Sequence, residues 1–172
     1  SYNEPIDSQD PKGVFMKKIN AAVVGYGNIG LYVIEALEAS NDFTVAGIVR
    51  RTATPIEGLS YPVVTDIEQL WQVDVAILCV PSRHIEAYAS NILAKGIATV
   101  DSFDIHPEIA ALRQRLSEIG KAHNSAAIVS AGWDPGTDSI FRTVFLAAAP
   151  KGITYTNFGP GMSMGHSTAV KA

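Results

Sequence analysis

The chain has 172 residues, a formal net charge of −4, 47% hydrophobic residues and 17% charged ones. That is enough for one domain with a core, and the acidic balance gives no electrostatic reason to expect nucleic acid or an anionic membrane as partner. No apolar run reaches the roughly 20 residues of a transmembrane helix, the N-terminus shows no apolar signal core, and the single Cys79 cannot form an internal disulfide, a usage that fits a reduced cytoplasm.

Residues 1–15 are polar, hold Pro5, Pro11 and Gly13, and lack a sustained period, so they read as a disordered tail or leader ahead of Met16. From Ile19 the pattern changes. Ile19 to Val24 is a short apolar run ending in glycines, and Asn28 to Ala39 shows helical spacing through Ile29, Val33, Ile34 and Leu37. Phe43 to Val49 is a second β-branched run. Pro62 to Val64 suggests a short strand, with Asp66 capping a brief helix before Trp71. Val73 to Val80, Ile97 to Val100 and Ala126 to Val129 continue the strand style, with helices predicted near 83–95, 107–121 and 136–149. Short, continuously apolar strands alternating with amphipathic helices predict a doubly wound, mostly parallel α/β sheet covered on both faces, a Rossmann domain over residues 16–150. After Pro150 a turn, an alternating strand from Ile153 to Phe158 and a glycine-rich loop read as the start of a second, incomplete α+β domain at 151–172. On this reading the chain is a fragment.

Gly25-Tyr26-Gly27-Asn28-Ile29-Gly30 matches G-x-G-x-x-G between the first predicted strand and the first helix. Gly25 permits the tight turn, Gly27 removes the side chain that would block a pyrophosphate, and Gly30 lets the helix pack on the strand while its N-terminus faces the anion. The motif alone is weak; its place in the first βαβ unit is the confirming context. At the end of the second strand, dinucleotide folds for NAD place a carboxylate on the ribose 2′-hydroxyl. Here the sequence gives Arg50-Arg51-Thr52. Guanidinium forks bind a 2′-phosphate that a carboxylate would repel, so NADP is the expected cofactor; a solvated basic turn is the alternative.

The chain from Ile19 to Ala172 resembles the N-terminal half of the meso-diaminopimelate dehydrogenases. The residues that carry the resemblance are Val24 to Gly30, Arg50-Arg51, Leu78-Cys79-Val80-Pro81-Ser82, Thr99-Val100-Asp101-Ser102-Phe103-Asp104-Ile105-His106, Ser130-Ala131-Gly132-Trp133-Asp134-Pro135-Gly136 and Phe158 to Ser167. The stretches 132–136 and 159–167 are far more specific than the glycine fingerprint. The resemblance implies reversible, NADP-dependent oxidative deamination at the D-configured centre of meso-2,6-diaminopimelate, in lysine and diaminopimelate metabolism, by a homo-oligomer assembled largely through the second domain. Met164, Thr168 and Val80-Pro81 stand where the better-known branch has Gln, Asp and Met-Gly. These departures resemble a branch that accepts other D-amino acids as well.

A substrate ammonium calls for carboxylates, and Asp104 and Asp134 follow the fifth and sixth predicted strands, at the edge where ligands of open α/β sheets bind. By resemblance both contact the reacting centre. Read from the residues alone, Asp104 also suits a plain loop position or a cap for a helix near Pro107, and Asp134 an N-cap for the helix after Pro135. Trp133 is either a floor for the substrate pocket or core filling. Gly136, Met164, Gly165 and Thr168 are the remaining expected substrate contacts. Gly161 to His166 offers backbone N–H groups to a substrate carboxylate, or serves as an interdomain hinge. By resemblance the backbone of Cys79, Val80, Pro81 and Ser82 lies near the nicotinamide ribose, with Ser102 and Phe103 also beside the cofactor; Cys79 reads as a buried thiol rather than a nucleophile. Asp101 reads as structural. The four histidines show no metal-ligand spacing, so no metal is expected. Two other readings stand beside the dehydrogenase: a sensor that binds NADP(H) without catalysis, and a dihydrodipicolinate reductase relative, against which the 133–136 segment argues.

Overall fold

The computed structural model describes residues 17–153. Six parallel strands form one sheet in the order β3-β2-β1-β4-β5-β6. They are β1 (Ile19–Val24), β2 (Phe43–Val49), β3 (Val63–Val64), β4 (Val75–Leu78), β5 (Ala98–Asp101) and β6 (Ala127–Ile128). The helices are α1 (Asn28–Ala39), α2 (Ser82–Leu93), α3 (Ile109–His123) and α4 (Thr137–Ala148), with 3-10 turns at Ile67–Gln69 and His106–Glu108. This is the doubly wound α/β architecture expected of the sequence.

Alternation along β1 divides the core in two. Ala21 and Val23 face α1, where they meet Ile34, Leu37, Val45 and Ile48. Ala22 and Val24 face the other way, into a layer built from Ala76, Leu78, Ile85, Ala89, Leu112 and Leu116. α2 buries Ile85, Ala89, Ile92 and Leu93, and α3 buries Leu112, Leu116 and Gly120, so each presents one stripe at helical spacing. Burying each large side chain contributes about 1.5–3 kcal/mol. Across the outer surface Arg115 donates to both oxygens of Glu86, at 2.5 and 2.8 Å, and ties α3 to α2.

The expected strands and helices are present, with shorter bounds at several ends. The apolar run 73–80 becomes a strand only at Val75–Leu78, because Pro81 hands the chain to α2. Asp74 spends its carboxylate on the backbone N–H of Asn20, at 2.8 Å. Pro107 sits in the 3-10 turn, and α3 starts two residues later than the pattern suggested. Asp66 caps the 3-10 turn at Ile67 as expected, and Gln69 completes a capping box. Apart from Ile153, the strand expected at 153–158 and the glycine-rich loop beyond it lie outside the described residues, as does the tail at 1–15.

α4 differs from the other helices. Ile140, Phe141, Val144, Phe145 and Leu146 are all exposed; Trp133 meets Phe141 in a tilted pair with ring centroids 5.8 Å apart, and Phe141 stacks on Phe145 at 6.2 Å. None of the described helices is long and apolar enough to cross a membrane.

Candidate functional site

The C-terminal ends of β1, β2 and β4 converge at the point where the chain stops winding toward β3 and crosses to β4. Open α/β sheets bind ligands in that crevice. Gly25 takes φ +93°, and a Cβ there would lie 2.5 Å from the carbonyl oxygen of Cys79, so only glycine lets the first turn pass the end of β4. A Cβ on Gly30 would collide with the carbonyl oxygen of Gly25, which is the close helix-to-strand approach the motif requires. Gly27 is different. Its backbone is ordinary extended chain (φ −123°, ψ −158°), and a Cβ there meets nothing within 4 Å among the described residues. Neither backbone conformation nor packing asks for glycine at 27, and the open space there leaves room for a ligand against the backbone. Gly27 is also the N-terminal cap of α1 and carries no side-chain cap, so the first-turn N–H groups of Asn28, Ile29 and Gly30 receive no capping side chain. Asn28 and Ile29 are exposed beside them. The residues fit the diphosphate of a dinucleotide.

Arg50, Arg51 and Thr52 follow β2 directly. The backbone N–H of Arg50 donates to Val64 at 2.9 Å, fixing where its side chain departs, and Arg51 and Thr52 are exposed. Neither arginine makes an ion pair among the described residues. A cleft of about 290 Å³ opens at the same edge, lined by Val24, Val49, Thr65, Tyr88 and Asn91 among others. A larger recess of about 720 Å³ lies between Asp74, Ala98, Arg113 and Lys121, beneath the N-terminal ends of β4 and β5. It is the bigger hollow at the wrong edge of the sheet, so the strand ends rather than volume decide the site.

Beyond β4, Cys79 is mostly buried, and desolvation pushes its thiol up to about 11, so it stays protonated at neutral pH. Val80 and Pro81 lead into α2, whose first residue, Ser82, donates its hydroxyl to Asp104 Oδ1 at 2.6 Å. Asp101, at the end of β5, is buried, and Oδ1 accepts from the backbone N–H groups of Phe103 and Ser130, at 2.9 and 3.1 Å. Burial raises its pKa, and those two bonds only partly offset the rise. Ser130 returns a bond from its hydroxyl to the Phe103 carbonyl at 2.8 Å, and Ala131 N–H donates to the Asp101 carbonyl at 2.7 Å. The loops after β5 and β6 are therefore stitched together, and Asp101 has the structural role expected of it. Ser102 is half-buried beside Gly132, whereas the Phe103 side chain lies in the core, leaving only its backbone to face a ligand.

Neither carboxylate caps a helix. The caps of the 3-10 turn, α3 and α4 are Ile105, Glu108 and Gly136, without side-chain cap bonds. Asp134, which precedes a cis proline, instead has His106 Nε2 3.9 Å from one oxygen and Arg142 3.5 Å from the other. Arg142 also reaches the buried Asp138, with Nε 2.6 Å from Oδ2, a contact too poorly aligned for a hydrogen bond. Trp133 is 48% exposed among the described residues. Gly136 packs against the Gly132 backbone and closes a tight turn around Asp134. Met164, Gly165 and Thr168 lie outside the described residues. Sequence reading missed the Ser82 side chain, His106 and Arg142. Only Arg142 left a trace, four residues after Asp138 and so on the same helix face.

Residues 19–101 match a family model described as oxidoreductase family, NAD-binding Rossmann fold, and residues 132–172 match the diaminopimelic acid dehydrogenase C-terminal domain. The meso-diaminopimelate D-dehydrogenase of Bacteroides fragilis is 62% identical over 160 residues, covering 91% of this chain and 54% of that protein. The Corynebacterium glutamicum enzyme of the same name is 36% identical, covering 91% of this chain and 49% of its own length. Among solved structures, the C. glutamicum dehydrogenase in complex with DAP superposes with a TM-score of 0.70 at 37% identity, covering 91% of this chain and 49% of that one. An engineered D-amino acid dehydrogenase bound to NADP+ gives 0.69 at 35% identity, covering 90% and 49%. The chain thus spans about half the length of the curated relatives it matches. By sequence and by fold, the chain is similar to the meso-diaminopimelate D-dehydrogenases over the span it shares with those relatives.

Proposed function

We propose that this chain is the cofactor-binding half of an NADP-dependent, cytoplasmic amino acid dehydrogenase acting on CH–NH2, which reversibly deaminates the D-centre of meso-2,6-diaminopimelate to L-2-amino-6-oxopimelate in lysine metabolism. The observation that carries the reading is the order of groups along one sheet edge. Along the sheet order β2-β1-β4-β5-β6 come two arginines with no ion pair among the described residues, an open glycine bend and then two carboxylates. That is the order required by an anionic dinucleotide lying across the strands with an ammonium substrate at its far end. The relatives' names and the structures with NADP+ and with DAP support the same assignment. Residues 16–150 form the cofactor domain on this reading, and the substrate and oligomerisation domain of a homodimer continues from 151. The family model for the second domain already begins at 132, so α4 falls where the two descriptions overlap.

When bound, the nicotinamide accepts a hydride from the substrate carbon, and water then releases ammonia from the resulting iminium. The protein's part is placement and charge. Tyr26 to Gly30 receive the diphosphate at the N-terminus of α1, and Arg50, Arg51 and Thr52 hold the 2′-phosphate. The segments 79–82 and 102–103 border the nicotinamide end. Asp104 and Asp134 accept from the amino group, which gives up its extra proton before the hydride leaves, and stabilise the positive charge that returns in the iminium. Trp133, Gly136, Met164, Gly165 and Thr168 complete the substrate contacts. A broader D-amino acid dehydrogenase is the second reading, favoured by Met164, Thr168 and Val80-Pro81. Calorimetric titration of the chain with NADP and with NAD tests the cofactor assignment. NADP should bind more tightly, and Arg50→Ala should lose about 10- to 150-fold in NADP affinity, as for one charge-assisted contact of 1.5–3 kcal/mol. Equal affinity for both dinucleotides would overturn it. NADPH absorbance with diaminopimelate and a panel of D-amino acids, using a protein of the relatives' full length, separates the two substrate readings.

A further inference from the structure

We infer that Ser82 is a positioning residue that holds the Asp104 carboxylate for the amine and ties it to the cofactor loop; the inference rests on the proposed dehydrogenase function. Ser82 stands at the first position of α2, where a serine hydroxyl ordinarily turns to its own backbone. Here α2 has Pro81 as its cap and no side-chain cap bond. The Ser82 hydroxyl instead reaches 22 residues along the chain to Asp104 Oδ1, at the short distance of 2.6 Å typical of a hydroxyl bonded to a carboxylate. Both groups are partly buried, so water competes less than at the surface.

The neighbouring bonds make that contact directional. The Asp101 carboxylate and the Ser130 hydroxyl hold both the N–H and the carbonyl of Phe103, so the backbone leading into Asp104 is fixed from two sides. The Ser82 hydroxyl sets one oxygen of the carboxylate itself. Ser82 follows directly on the segment 79–81, which runs from the end of β4 past the glycine turn. A dinucleotide seated on that segment and an amine seated on Asp104 are therefore linked by one hydroxyl. Ser82 needs no contact with substrate to act; it sets the orientation of a group that has one. A hydride transfer is sensitive to such orientation, because the donor carbon must face the acceptor ring at near-contact distance.

The test compares Ser82→Ala and Ser82→Thr with the parent, in the chain extended to full length with the remaining sequence of the B. fragilis relative. Ser82→Ala should lower kcat for the D-amino acid about 10- to 100-fold and leave the calorimetric Kd for NADP within twofold. The α-deuterium isotope effect on kcat should rise as hydride transfer becomes limiting. Ser82→Thr, which keeps the hydroxyl, should restore most of the rate. Unchanged kcat and isotope effect in Ser82→Ala would overturn the inference. So would parallel losses of activity, NADP affinity and melting temperature that threonine does not repair, since they would make the bond a structural staple. No amino-acid-dependent NADPH from the unsubstituted protein would sink the proposed function itself, and the inference with it.

Discussion

Gly27→Ala separates what the protein needs from glycine at the phosphate bend from what a ligand needs. A Cβ at 27 points into space with no atom of the described residues within 4 Å, on a backbone any residue adopts. Two small terms then oppose each other. Alanine narrows the unfolded ensemble and stabilises by about 0.4–1 kcal/mol, while it is a poorer N-terminal cap than glycine by up to about 1 kcal/mol. The net change in stability is within about 1 kcal/mol, or roughly 2–4 °C in Tm for a chain of this size. Gly25→Ala and Gly30→Ala are the controls. One must hold a side chain at φ +93° against the Cys79 carbonyl, and the other must push Cβ into the Gly25 carbonyl. Strain and overpacking of that kind cost about 1–3 kcal/mol each, so both should melt several degrees lower. Binding should invert the ranking of Gly27→Ala. The methyl group stands where the diphosphate approaches, and losing even one charge-assisted bond of 1.5–3 kcal/mol weakens NADP by about 10- to 150-fold. Thermal melts and calorimetric titration of the three variants give both numbers. If Gly27→Ala binds NADP like the parent, or melts as early as Gly25→Ala, the space at Gly27 has nothing to do with a ligand.

Other outcomes follow from the electrostatics. Burial raises the Asp101 pKa above its usual 3.8, so the folded state holds the proton more tightly than the unfolded chain does. Its contribution to stability is therefore full below that value and is lost as pH rises through the folded one; Asp101→Asn should flatten that slope in urea melts taken from pH 4 upward, and an unaltered slope would refute the assignment. Arg142→Ala removes the cation beside buried Asp138, and because the guanidinium is half exposed the expected loss is only about 1 kcal/mol, read as a fall of a few degrees in Tm. The Cys79 thiol, pushed from 9.0 to about 11, holds about 100-fold less thiolate than an ordinary cysteine. It should react with Ellman's reagent about that much more slowly in the folded protein than in urea, and equal rates would contradict its burial.

How much of this was legible in sequence depends on the range over which each signal acts. The glycine bend, the arginines after β2 and the alternation of strands and helices are local patterns, and the structure returns them with small shifts of boundary. The shifts fall where a neighbouring bond rather than hydropathy ends the element, as at Asp74, which holds the Asn20 N–H, and at Pro81. The candidate site is less local. Cap chemistry gave Asp104 and Asp134 an ordinary explanation as helix starts, and only the fold shows the caps to be elsewhere and Asp104 bonded to a serine 22 residues away. No spacing rule announces that pair, since its partners meet only after β4 and β5 lie side by side. The apolar face of α4 marks the opposite limit. Ile140, Phe141, Val144 and Phe145 satisfy every local rule for a buried helix, yet they are exposed among the described residues. Their pattern belongs to the stretch matched to the second domain, 132–172, and not to the Rossmann match at 19–101. The same division runs through the proposed site: each cofactor segment is a short run that shows itself in sequence, while the proposed amine edge is assembled from three loops that only the sheet brings into register.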